Sequence, residues 1–116
     1  MFTAISPAYY LVIDLEATCA DDGTVPKDEM ETIEIGAVLV NTGSLEPVDD
    51  FQTFIHPVRH PELTAFCTRL TSISQEAVSE APSFPEALEA LVRWVGSRQA
   101  LFCSWGDYDR RQFLRD

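Results

Sequence analysis

Two carboxylates two residues apart, Asp14 and Glu16, interrupt the apolar run L-V-I-D-L-E-A-T-C at positions 11 to 19. On an extended strand alternate side chains share a face. Leu11, Ile13 and Leu15 then point to one side, and Tyr10, Val12, Asp14 and Glu16 to the other. The two acidic Cα atoms stand roughly 6.5–7 Å apart. Like charges at that spacing repel unless a cation lies between them. Two hard oxygen donors suit a divalent ion such as Mg²⁺ or Mn²⁺. An arbitrary D-x-E can equally be a solvated face. Its place at the end of a buried-looking strand, followed by Ala-Thr-Cys rather than by more charge, favours a site.

A second acidic group lies in S-W-G-D-Y-D-R-R-Q-F-L, starting at Ser104. Capping a helix is enough to account for Asp107. Asp109 falls in the first turn, where the helix dipole favours an anion. It follows a strand expected to run parallel to the first, and in open α/β sheets chemistry gathers beyond the carboxyl ends of such strands. That puts Asp109 within reach of ions held by Asp14 and Glu16.

The elements that must position these groups are legible from periodicity and turn residues. Residues 9–16, 32–41 and 51–57 read as strands of an antiparallel meander, separated by a polar loop with Gly23 and Pro26 and by the turn-like N-T-G-S-L-E-P-V-D-D. Short helical turns are expected around L-T-A-F-C-T-R-L and S-Q-E-A-V-S. In the latter Ser74 is the cap, and Ile73 and Val78 form the staple. Ser83 and Glu86 make a capping box for a longer helix, with Pro85 in the first turn. Phe84, Leu88, Leu91, Val92 and Val95 form its apolar stripe, and Gly96 ends it. A strand over 100–105 and a helix opening at Asp107 complete a β-β-β-α-β-α order, which predicts an α/β fold with a mixed sheet.

The 116 residues form one domain at most, with 46% hydrophobic residues and a net charge of −11 from 19 acidic and 8 basic groups. Taken alone, that charge argues against a nucleic-acid partner, unless some carboxylates hold divalent cations that reverse the local field. No apolar run has the roughly 20 residues of a membrane span, and the first residues lack a signal peptide's basic region. Cys19, Cys67 and Cys103 are odd in number and widely spaced, as expected of free thiols in a reducing cytoplasm.

Together, D-L-E-A-T-C, E-T-I-E-I-G-A-V-L-V, F-Q-T-F-I-H-P-V, F-C-T-R-L-T-S-I-S-Q-E-A-V and S-W-G-D-Y-D resemble the DEDD superfamily of 3′–5′ exonucleases, of ribonuclease-H-like fold. The nearest branch is that of histone-mRNA and small-RNA 3′ exonucleases and bacterial sporulation-inhibitor exonucleases. The resemblance implies two Mg²⁺ or Mn²⁺ ions and a single-stranded nucleic-acid 3′ end as partner, RNA ahead of DNA. By the same resemblance Asp14 bridges the ions, Glu16 holds the one beside the attacking water and Asp109 supports the second. Ala17 and Thr18 would lie near the terminal 3′ hydroxyl, and Leu70, Thr71 and Ile73 against the terminal base. For Leu70 and Ile73 ordinary core packing explains the residue type equally well. Ser72 stands where the family has glycine.

The family's third motif, a histidine with an aspartate five residues later, is absent. His56 and His60 lie in F-I-H-P-V-R-H-P, aligned with a structural segment, and read as loop residues. Residues 1–116 are thus expected to be a partial exonuclease domain with little or no hydrolytic activity of its own. A continuation of the chain or a partner would have to supply the general base. The alternatives are a catalytically incomplete nucleic-acid-binding or regulatory module, and another type of ribonuclease-H-like enzyme.

Overall fold

The computed structural model describes residues 7–104. Four strands, β1 (Tyr9–Ala17), β2 (Thr32–Asn41), β3 (Pro47–Phe54) and β4 (Ala100–Ser104), form one sheet in the order β3-β2-β1-β4. β1 pairs antiparallel with β2 and β2 with β3, whereas β4 lies parallel to β1. This is the expected mixed α/β sheet. The helices are α1 (Ala65–Thr71), α2 (Gln75–Ser79) and α3 (Phe84–Val95). None of the described helices is long and apolar enough to cross a membrane. The helix expected from Asp107 falls outside the described residues.

Alternation along β1 and β2 builds the core. Ile13, Leu15, Ile35 and Ala37 are buried and meet Ile55, Ala87 and Leu91 in one cluster. A second cluster joins Ile33 to Cys67, Ile73 and Val78, where α1 and α2 close over the end of the sheet. Fully burying one large aliphatic side chain stabilises by about 1.5–3 kcal/mol. α3 is the crossover between β3 and β4, and its start follows the expected rule. Ser83 Oγ accepts from the Glu86 N–H, and Glu86 Oε1 accepts from the Ser83 N–H at 3.1 Å.

Two expectations need correction. β3 spans 47–54 rather than 51–57, because the turn before it is tighter than its composition suggests. The Asn41 side chain accepts from the N–H groups of Gly43 and Ser44, and Leu45 takes a φ of 60°. The chain has therefore reversed by Glu46, and Pro47 can open the strand because β3 is an edge. Val92 is not on the buried stripe of α3 but 63% exposed. Phe84, Leu88, Leu91 and Val95 pack as expected, and Ala87 and Trp94 join them. The far end of α3 is tied to the edge strand through Asp49, whose Oδ2 accepts from Trp94 Nε1 and Arg98 Nη1, both at 3.0 Å. The hydrogen bond from Arg98 is the main influence holding the Asp49 carboxyl below its ordinary value.

Candidate metal and nucleic-acid site

Asp14 is exposed and Glu16 half-buried, both on the face of β1 opposite to Ile13 and Leu15. The expected division of this strand into a core face and an open face is therefore what the fold contains. Antiparallel register sets Gly36 directly across from Asp14 and Glu34 across from Glu16. A Cβ at Gly36 would meet only the Asp14 carbonyl oxygen, at 3.8 Å, an ordinary contact. The glycine is thus not forced by backbone geometry. Its effect is to leave the flank of the Asp14 carboxylate clear of any side chain.

Glu34 was not singled out from sequence. Its Oε2 accepts from Gln52 Nε2 at 2.9 Å, which holds a third carboxylate on the same face. Alternation in T-I-E-I-G could have placed Glu34 on the open side, but only the strand register puts it opposite Glu16. Among the described residues, no three His, Cys, Asp or Glu groups lie close enough to hold one ion. Asp109 lies outside the described residues. β4 runs parallel beside β1, and its last residue, Ser104, is level with Ile13.

The end of β1 is fixed by a buried network. The Thr18 N–H donates to the Glu31 carbonyl at 2.8 Å, and Thr18 Oγ1 accepts from the Glu31 N–H at 2.9 Å. Glu31, only 8% exposed, directs its carboxylate at the loop after β3. Oε2 accepts from the Val58 N–H at 2.7 Å, and Oε1 from those of Arg59 and His60 at 2.8 and 2.9 Å. A lone acidic residue in M-E-T carries no sequence signal for this role. It became visible only once the loop had folded back onto it.

The expected substrate-side residues divide. Leu70 is 65% exposed on α1, beside Phe66, Arg69 and Asp21 around a shallow depression. Ile73 is buried in the second cluster, so core packing accounts for it. Thr71 Oγ1 donates to the Cys67 carbonyl at 2.8 Å and accepts from the Ile73 N–H at 3.2 Å. Ala17 and Thr18 are buried, and the Ala17 carbonyl accepts from the Cys67 thiol at 3.7 Å. Ser72 closes α1 with φ 62° and ψ 19°, the left-handed conformation that favours glycine. That is a local physical reason for glycine at this position.

Both histidines are built into the loop framework. His56 Nδ1 lies 3.0 Å from the Val78 carbonyl, a contact that requires a proton on that nitrogen. His60 Nε2 lies 3.4 Å from the Glu29 carboxylate.

Comparison with known proteins gives a consistent picture. The exonuclease (RNase_T) family pattern matches residues 11–116. The 3′-5′ exoribonuclease 1 of Rattus norvegicus is 37% identical over 112 residues, which cover 91% of this chain and 32% of that protein. ERI1 exoribonuclease 3 of Homo sapiens is 34% identical over 113 residues, covering 91% of this chain and 33% of its own length. The chain thus spans about a third of these curated relatives. Among solved structures, the nuclease domain of 3′hExo, a DEDDh family member bound to rAMP, superposes with a TM-score of 0.83 at 35% identity. That match covers 93% of this chain and 56% of the other. A 3′-exonuclease recognising a histone mRNA stem-loop gives 0.84 at 33% identity, over 93% and 39% of the two chains.

Proposed function

This chain belongs to the exonuclease (RNase_T) family, and from that premise we propose that it carries the metal-binding part of a 3′–5′ exonuclease acting on single-stranded RNA, with DNA as the second choice. The observation that carries the reading is the shared open face of Asp14 and Glu16, with Gly36 leaving space beside them. The donors fit a hard divalent ion. Both are carboxylates, neither is buried, and the strand that bears them is held by pairing on both edges.

Asp14 and Glu16 would hold Mg²⁺ or Mn²⁺, with Asp109 as the further ligand implied by the family resemblance. Bound there, such ions polarise a scissile phosphate and lower the pKa of a coordinated water. The Thr18–Glu31 network keeps the end of β1 in place while charge changes beside it. Leu70 offers its exposed side chain to the terminal base, whereas Thr18, Thr71 and Ile73 serve as framework. His56 Nδ1 is turned to the Val78 carbonyl and His60 Nε2 lies beside the Glu29 carboxylate, so neither is our candidate for the base that takes the proton from an attacking water. A catalytically incomplete binding module is therefore the second reading.

An assay of the 116-residue chain on 5′-labelled single-stranded RNA with Mn²⁺ tests these readings. We expect binding that prefers a free 3′ hydroxyl over a blocked one, requires Mn²⁺ and is lost in Asp14→Ala, with little or no shortening. Progressive shortening from the 3′ end, abolished in Asp14→Ala, would show that the general base is present after all. Binding indifferent to Mn²⁺, to the 3′ end and to Asp14 would defeat both readings.

A further inference from the structure

Two of the three cysteines meet behind the candidate site. Cys67 is completely buried on α1, and the half-buried Cys19 packs against its cluster. Thr64 spans the two segments. Its Oγ1 donates to the Cys19 carbonyl at 2.6 Å and accepts from the Cys67 N–H at 3.0 Å. The segment leaving β1 and the first turn of α1 are thereby held in register, three residues beyond Glu16. The geometry points to Cys19 and Cys67 as an oxidation site, in which a hydroperoxide converts the two thiols to a disulfide that ties the end of β1 to α1.

The chemistry balances. The Cys19 thiolate attacks one peroxide oxygen, giving a sulfenic acid and, for hydrogen peroxide, one water. The Cys67 sulfur then attacks the Cys19 sulfur. The S–S bond forms, the S–O bond breaks, and the hydroxyl leaves with the Cys67 proton as a second water. Two thiols lose two electrons and peroxide gains them. Cys19 packs against the cluster that contains Cys67, and the two sulfurs would have to close to the bond length of about 2.05 Å. Burial is the main influence pushing the Cys19 thiol up, to about 12, with Cys67 and the charge of Glu16 adding to it. Little thiolate exists at neutral pH, so oxidation is slow and calls for sustained peroxide.

The test uses the full chain carrying Cys103→Ser, which removes the only other thiol. After peroxide treatment, intact mass should fall by about 2 Da, the two hydrogens lost in the balanced step, and return with dithiothreitol. Tryptic peptides 1–27 and 60–69 should be found linked. The crosslink closes a long loop of the unfolded chain, so the melting temperature should rise by roughly 10 °C. Cys19→Ser, at a half-buried position, should abolish both the mass loss and the shift. Gain of oxygen on Cys19 with peptide 60–69 left unlinked, or a covalent dimer, would overturn the assignment. So would a mass loss that persists in Cys19→Ser.

Discussion

The two faces of β1 share a backbone but not a composition, and they are held by different physics. Ile13 and Leu15 lie on the face packed against α3 and belong to a cluster that spans three strands and a helix. One residue along in each case, Asp14 and Glu16 stand on a face with no covering layer among the described residues. The covered face stabilises the fold by removing apolar surface from water. The open face buries less apolar surface, so strand pairing carries more of its positioning. Two carboxylates can therefore be placed there, side by side, in a strand whose register is set by the residues between them.

The contrast can be broken first from the covered side. Ile13→Ala leaves a cavity in the main cluster and should destabilise by about 3–4 kcal/mol, measured by urea unfolding. Glu31→Gln tests the buried network that anchors the end of the strand. The new amide N–H group faces a backbone N–H where an acceptor stood, with an expected loss of about 2–3 kcal/mol. If that variant unfolds at the same urea concentration as the parent, the network does not hold the strand end. Ser72→Gly relieves left-handed strain outside both faces and should stabilise by about 0.5–1 kcal/mol. Asp14→Asn sharpens the comparison from the open side. Its unfolding midpoint should stay within about 0.5 kcal/mol of the parent, as for surface substitutions generally, while Mn²⁺ binding by calorimetry falls at least tenfold. Equal losses of stability in Asp14→Asn and Ile13→Ala would show that the two faces are not energetically distinct.

What was legible in the sequence is what depends on short range. Period-two alternation in Y-Y-L-V-I-D-L-E marked β1 and assigned its faces. The S-F-P-E capping box fixed the start of α3 within its first turn. Where reading failed, a specific contact, or the lack of one, decided. Val92 is apolar at helical spacing, but it lines an open apolar groove beside Leu11 and Phe102 and stays 63% exposed. β3 begins at Pro47 because the Asn41 side chain folds the turn early, an interaction that composition does not announce.

The site shows the same division. Asp14 and Glu16 were readable because a strand's pleat alone decides that they share a face, whatever surrounds it. Tertiary structure decided that Gly36 and Glu34 are their cross-strand neighbours, that Leu70 is exposed while Ile73 is core, and that Glu31 gathers three backbone donors from a loop 27 to 29 residues away. Each of these depends on strand register or loop closure. Those are set by the sum of many weak contacts across the chain rather than by any local residue pattern.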